Sequence, residues 1–149
     1  MDDKDLEILH LVQRNSRLTA DSLSAEVGLS PAAVQKRLQK LRTNGVIEKE
    51  IAVLSPSKLG RDMTILVEVT LEKESRAHLD AFKHRMRNAP CVQQCYYTTG
   101  EGDFTLILTV HDIKEYEEFT QEHFFDHSNI SRFKTAVVMD RVKVSLDVL

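Results

Sequence analysis

The sequence predicts an α+β protein: an N-terminal winged-type helix-turn-helix joined to a C-terminal ferredoxin-like βαββαβ domain. Three observations support this prediction. Residues 18–45 hold two short helical patterns around a glycine turn, and residues 55–60 are rich in serine, proline and glycine. From residue 63 the periodicity follows the order strand, helix, strand, strand, helix, strand. We therefore divide the chain into domains 1–54 and 55–149.

The composition is that of an ordinary globular protein. Its net charge of −3 argues weakly against a general nucleic-acid coat. No apolar run approaches the roughly 20 residues that span a bilayer, and the acidic start MDDKDLEI differs from the basic start of a signal peptide. We expect a cytoplasmic protein with no membrane partner, in which Cys91 and Cys95 are reduced.

Three helices are predicted in the first domain. The first covers Asp3 to Asn15 and has a broad apolar face with an acidic first turn. Thr19 is placed to cap the second helix, and Gly28 ends it because glycine adopts a left-handed turn without a Cβ penalty. Ser30 and Pro31 then start the third helix, as its cap and first residue.

The third helix is cationic on one side. Val34, Leu38 and Leu41 form its inward apolar stripe. Between residues 30 and 44 there are four basic residues and no acidic one, although residues 1–50 as a whole hold eight of each sign. This concentration of charge is what DNA readout by one helix needs. On charge alone, lysines that merely solvate an exposed helix face explain it equally well.

The second domain follows a strand or small hairpin predicted over Val46 to Leu54. In order, we predict a strand from Met63, a helix over 75–88, strands over 92–99 and 104–110, a helix opened by Asp112, and two strands over 131–149. Both helices cover one face of such a sheet. Ile107 and Val138 have the opposite parity from the other apolar strand residues, so the second face is predicted to be apolar and to form a dimer interface.

Three segments in this order resemble the Lrp/AsnC family, the feast/famine regulators. They are RLQKLRTNGVI, in which the helix-turn-helix ends, TTGEGDF between the second and third strands, and the closing TAVVMDRVKVSL. The resemblance covers nearly the whole chain. It implies a transcription regulator, not an enzyme, that binds double-stranded DNA and is tuned by an amino acid as effector, with no other cofactor. It also implies a homodimer through the C-terminal domain, often assembled into an octamer of four dimers.

The resemblance places the helix over residues 30–44 in the major groove. The residues implied to approach bases or nearby phosphates are Ser30, Ala32, Ala33, Gln35 and Lys36. Lys40 and Arg42 are implied to meet backbone phosphates, and Thr19 joins the DNA-binding set as the cap of the preceding helix. Arg37 has two readings, a DNA contact or a pair with an acid inside the domain.

The same resemblance implies an effector site at the turn Gly100, Glu101, Gly102 and Asp103. Two glycines let backbone N–H groups approach a carboxylate, and two acids can receive an ammonium group. Without the family, these residues are read as a plain hairpin turn. The strand residues Thr135, Ala136 and Val137 are implied to close the pocket, with Tyr96 and Ile113 as weaker candidates. Gly102 replaces a larger residue of many members, which predicts a roomier pocket or a different ligand.

Two other functions compete with this prediction. Haem-pathway decarboxylases resemble the same two-domain architecture, and Tyr96, Tyr97 and His111 are the candidate counterparts of their pocket residues. A metal-sensing regulator would use His123 and His127, which lie four residues apart, but no third ligand is apparent and no metal site is predicted.

Overall fold

The computed structural model describes residues 1–126 and 129–149. These residues form two compact units, one of residues 1–53 with 143–149 and the other of residues 54–142. The seven C-terminal residues, which the sequence analysis placed in the second domain, thus group with the first unit. Among the described residues, no helix combines the length and apolarity needed to cross a membrane.

The first unit is built on three helices, α1 (Asp3–Val12), α2 (Ala20–Val27) and α3 (Pro31–Thr43). Their predicted caps are present: Thr19 Oγ1 accepts from the N–H of Ser22, and Gly28 ends α2 with φ of +67°. The core of the unit consists of one apolar face from each helix, formed by Ile8, Leu23, Val27, Val34 and Leu38. Helix α1 is three residues shorter than predicted.

Residues 46–54 have no regular secondary structure, so the strand or small hairpin predicted there is absent. Ile47 packs against the core of the unit, but the apolar side chains further along the segment are exposed, as far as 89% at Val53. The C-terminal residues of this unit are irregular too. Gln13, at the end of α1, donates to the carbonyl oxygen of Leu149 at 2.7 Å and accepts from the N–H of Val148 at 3.1 Å.

The second unit has the predicted α+β order. In chain order its elements are β1 (Met63–Leu71), α4 (Arg76–Asn88), β2 (Val92–Tyr97), β3 (Phe104–Val110), α5 (Ile113–Thr120) and β4 (Ile130–Val137). A short 3₁₀ turn at Ser57–Leu59 precedes β1, and a π-helical turn at Gln121–Phe125 follows α5. The strands form one antiparallel sheet in the order β2-β3-β1-β4, as expected of a ferredoxin-like fold.

One face of this sheet is buried under both helices. Ile65, Val67 and Val69 of β1 are fully buried, and they share a core with Phe82 of α4 and Phe119 of α5. The opposite face carries the intervening residues of each strand, among them Leu66, which is 40% exposed. We call this second surface the open face. The two central strands of the sheet, β1 and β3, pair at seven positions.

Only one of the two strands predicted over 131–149 is present. Strand β4 ends at Val137, and residues 138–149 have no regular secondary structure. Their alternating apolar side chains are exposed, from 64% at Val144 to 90% at Val148. Val138 therefore does not belong to the sheet, although its N–H donates to the carbonyl oxygen of Thr64 at 2.9 Å.

Candidate DNA-binding helix and effector site

The residues predicted to approach DNA bases lie at the start and on the outer side of α3. Ser30, Ala32, Gln35 and Lys36 are exposed, and Ala33 is half-buried. Ser30 Oγ accepts from the N–H of Ala33 at 3.2 Å and so fixes the beginning of the helix. Because the opposite stripe of α3 is buried, the outer side of the helix is free to enter a groove.

Arg37 forms ion pairs with acids inside its own domain, which is the second of the two roles considered for it. Its Nη1 atom lies 2.8 Å from Oδ1 of Asp2 and 2.7 Å from Oδ1 of Asp5. Asp2 caps α1 and Asp5 lies in its first turn, so these bonds join α3 to α1. The guanidinium thus has an internal partner, and the geometry favours a structural role over a DNA contact.

These ion pairs shift the pKa values of their members. Hydrogen bonding to Arg37 lowers the pKa of Asp2 and of Asp5 below the ordinary 3.8, and the two carboxylates raise the pKa of Arg37. Arg42 also has an acidic neighbour, since its Nη2 atom lies 2.8 Å from Oε1 of Glu50. Both of those side chains are more than 40% exposed, so water and salt screen the pair.

Lys36 and Lys40 are the remaining cations of α3. Both are exposed, and within residues 1–126 and 129–149 neither forms an ion pair. An unpaired surface lysine on a helix can neutralise a phosphate and release a condensed counterion. The outer side of α3 therefore combines short side chains near its start with free positive charge one turn later.

The second candidate site is the turn between β2 and β3, where Asp103 has a structural role. Its Oδ2 atom accepts from the N–H of Leu71 at 2.7 Å, and its own N–H donates to the carbonyl oxygen of Val69 at 2.9 Å. Its carbonyl oxygen accepts from the N–H of Thr98. Asp103 thus fastens the turn to the end of β1, which occupies one of its two carboxylate oxygens.

Glu101 is held by a lysine of β4. The Nζ atom of Lys134 lies 3.0 Å from Oε2 of Glu101 and 3.2 Å from Oε1 of Glu68. Hydrogen bonding to Lys134 lowers the pKa of Glu101, and the two carboxylates raise the pKa of Lys134. We call Glu68, Glu101 and Lys134 the charged triad; it lies beside the turn on the open face.

The contact between Glu68 and Gly102 was not predicted from the sequence. A Cβ atom on Gly102 would lie 2.3 Å from Cγ of Glu68, so the glutamate side chain rests directly on the glycine backbone. The space that a larger residue would fill at position 102 is occupied by Glu68, contrary to the roomier pocket expected there. One signal pointed to Glu68, since it is the only charged residue within MTILVEVTL.

The remaining predicted effector residues are divided between the two faces of the sheet. Tyr96 and Ala136 face the open side, because their registered partners Thr105 and Leu66 do so. The hydroxyl of Thr135 is instead 2.5 Å from the hydroxyl of Tyr116, on the side covered by the helices. Alternation puts Val137 on that side as well, half-exposed at the sheet edge. Gly100 has a φ of +133°, which favours glycine.

The residues proposed for an enzyme do not converge. Tyr96 bonds Gln94 on the open face, whereas the Tyr97 ring contacts Phe104 on the helix-covered face. His111 lies beyond the far end of β3, about 20 Å along the strand, and contacts the Gly60 carbonyl oxygen and Arg61.

Of the two histidines considered for metal binding, only one is within the described residues. His123 lies in the π-helical turn and contacts the ring of Phe119, whereas His127 falls outside the described residues. Within 1–126 and 129–149 no three potential ligands are grouped as a metal site would require.

Two family models match the chain. The model for the Lrp/AsnC ligand binding domain matches residues 64–148, and the model for a winged helix-turn-helix DNA-binding domain matches residues 1–48. The first contains the sheet, the turn and the charged triad, and the second contains α1 to α3. Together the two matches cover both candidate sites.

Individual proteins are similar over nearly their whole length. A helix-turn-helix-type transcriptional regulator of Sinorhizobium fredii is 47% identical over 99% of this chain and 88% of its own. A leucine-responsive regulatory protein of Rhizobium meliloti is 31% identical over 96% of this chain and 92% of its own. The crystal structure of a Neisseria meningitidis transcriptional regulator in complex with L-methionine has a TM-score of 0.91, with 29% identity over 98% of this chain and 94% of that one.

Proposed function

The chain belongs to the Lrp/AsnC family of transcriptional regulators, and from this premise we propose that it binds DNA through the outer side of α3 and that an amino acid at the turn over 100–103 modulates this binding. The observation that carries the proposal is the free cationic side of α3 in an otherwise acidic protein. Lys36 and Lys40 contact phosphates, and Ser30, Ala32 and Gln35 approach base edges.

The effector is proposed to bind at the turn beside the charged triad. Its carboxylate meets backbone N–H groups near Gly100, where the absence of a Cβ and the open space beside the residue permit close approach. Its ammonium group meets Glu101, whose carboxylate is exposed and ionised. The solved relative that holds L-methionine supports a small amino acid as the ligand class.

We infer that the protein acts as a homodimer through the open face. That face carries Leu66 and Ile107, although an antiparallel sheet exposed to water is expected to be polar there. A dimer also presents two copies of α3, which read two half-sites one helical turn apart. Effector binding then alters how dimers associate into an octamer and so which sites are occupied. Its DNA partner implies action in the cytoplasm.

We infer that the chain is not an enzyme. A decarboxylase requires pocket residues that act together, but Tyr97 pairs with Phe104 at the start of β3 whereas His111 follows its other end. Unpaired lysines on α3 have no use in such an enzyme.

A DNA-shift assay on the upstream region of the protein's own gene tests the proposal, repeated with each of the twenty amino acids at 0.15 M salt. We expect a retarded complex whose mobility or affinity changes with at least one amino acid. A folded protein that shifts neither this fragment nor pooled genomic fragments would contradict DNA binding. A shift that no amino acid alters would contradict the effector role alone.

A further inference from the structure

Glu68 occupies the floor of the proposed effector site because position 102 is a glycine. Its Cγ lies where a Cβ on residue 102 would be, and Gly102 itself is buried beneath it. The Glu68 side chain is 39% exposed, so its carboxylate is accessible from the open face. A ligand that enters beside Gly102 must therefore contact this carboxylate.

Lys134 shows which group fits between the carboxylates of the charged triad. Its ammonium lies within hydrogen-bonding reach of Glu68 and Glu101 at once, at 3.2 and 3.0 Å. Lys134 is 59% exposed and can leave this position without unpacking the sheet. The position thus accommodates a primary ammonium group on a flexible alkyl chain, which the protein itself supplies when no ligand is bound.

The charge around the turn favours a cationic ligand. Three carboxylates are present, on Glu68, Glu101 and Asp103, against two cations, on Lys134 and Arg132. Arg132 is near enough to lower the pKa of Glu101. The group carries one excess negative charge, which a zwitterion does not neutralise and a ligand of net charge +1 does.

We propose that Glu68 selects the effector, and that the ligand is an amino acid with a second cationic group, such as lysine, ornithine or arginine. This inference rests on the effector site proposed above. The side-chain cation of the ligand binds Glu68 in place of Lys134, while the α-ammonium group binds Glu101. A leucine or methionine side chain offers no cation to replace Lys134 at Glu68 and leaves the excess negative charge of the group unneutralised, which disfavours such ligands.

Isothermal titration calorimetry on the full chain tests the proposal, with lysine, ornithine, arginine, leucine, methionine and glutamate at one pH and salt concentration. The wild type should bind at least one basic amino acid about tenfold more tightly than leucine. Glu68→Gln keeps the shape and removes the charge, so it should weaken that binding about tenfold and change leucine binding less than about twofold. Glu118→Gln, on the exposed side of α5, is the matched charge control and should change neither.

A second variant acts on Glu68 without replacing it. Gly102→Ala places a Cβ 2.3 Å from Cγ of Glu68 and must displace that side chain, so it should weaken basic-ligand binding as well, with an unchanged circular dichroism spectrum. A wild type that prefers leucine or methionine, or a Glu68→Gln variant that binds the basic ligand normally, overturns this inference alone. A chain that binds none of the six ligands overturns this inference, and one that also ignores all twenty in the DNA-shift assay overturns the effector site itself.

Discussion

At the scale of single residues, the four cations of α3 differ in their ion-pair partners, and Lys36 is the one to test on DNA. It is exposed and has no ion-pair partner within the described ranges. Lys36→Ala should weaken binding to all DNA sequences alike and reduce the slope of log affinity against log salt by about one, because one phosphate contact is lost. The measurement is fluorescence anisotropy across a salt series. Lys114→Ala, an equal change of charge on α5, is the control and should leave the slope unchanged.

Gln35 separates specificity from affinity on the same helix. It is exposed next to Lys36 but carries no charge. If Gln35 contacts a base edge, Gln35→Ala should weaken the free energy of binding to the preferred site by about 1–3 kcal/mol and change binding to unrelated DNA little. The slope of log affinity against log salt should stay the same, because no charge is removed. Anisotropy with the specific site and with a scrambled site measures both. Equal losses on the two DNAs would assign Gln35 to phosphate contact instead.

Asp103 fastens the turn through a hydrogen bond from the Leu71 N–H, and two substitutions distinguish that bond from the effect of the charge. Asp103→Ala removes the acceptor of the Leu71 N–H and should lower the free energy of unfolding by about 1 kcal/mol. Asp103→Asn keeps an acceptor oxygen and removes the charge, so it should restore most of that stability. Urea unfolding of both variants measures this difference. Equal destabilisation by Ala and Asn would show that the charge, rather than the hydrogen bond, holds the turn.

The local structure around Lys36, Gln35 and the turn glycines was easier to predict from the sequence than the particular contacts of Arg37 and Glu68. Lys36, Gln35 and the glycines of the turn follow from local patterns, because caps, charges and turns are encoded by near neighbours. Arg37 pairs with residues 32 and 35 positions away, and Glu68 lies on a glycine 34 positions later. Such partners depend on how distant elements pack, which a single sequence does not reveal.

At the scale of elements, the bonds from Arg37 to Asp2 and Asp5 hold α3 against α1, and their effect depends on pH. Both carboxyl pKa values are lowered below 3.8 in the folded state. Folding therefore gains stability from this pair above the unfolded pKa, and loses it as the pH falls through the lowered folded values.

Arg37→Gln removes that contribution. The difference in stability between the wild type and this variant should be largest near neutral pH and should shrink as the pH falls below 3.8. Amide hydrogen exchange of α1 across that pH range reports the difference. Arg42→Gln, which breaks a screened surface pair, is the control and should have a smaller effect. A difference that persists at low pH would assign the role of Arg37 to packing of its side-chain methylenes.

The elements themselves were predicted unequally. Helices with caps and apolar stripes were predicted to within a few residues, since their hydrogen bonds are internal. Two segments that alternate like strands, 46–54 and 138–149, form none. An alternating pattern shows only that the side chains suit the two faces of a sheet. A strand also needs a neighbouring strand with which its backbone can form hydrogen bonds. Among the residues that the structure describes, neither segment pairs with a strand.

At the scale of the whole molecule, apolar side chains are exposed to water both on the open face and in the irregular segments 46–54 and 138–149. The segment after β4 exposes Val142, Val144, Leu146 and Val148, each at 64% or more. The open face adds Leu66 at 40%. Apolar side chains left in water contribute no hydrophobic stabilisation, so we expect these residues to be buried when two copies associate.

Leu66→Asp tests the dimer proposed through the open face. A carboxylate at the middle of a closely packed interface would be desolvated without a partner, so the variant should be monomeric at micromolar concentration while its circular dichroism spectrum stays unchanged. Because the two α3 helices are then unlinked, affinity for a two-half-site DNA should fall about a hundredfold. Sedimentation equilibrium measures the mass, and the same experiment on the wild type distinguishes dimer from octamer. Ile113→Asp, at a 50%-exposed apolar position on α5, is the control. A Leu66→Asp protein that stays dimeric, or dissociation by Ile113→Asp instead, would move the interface to another surface.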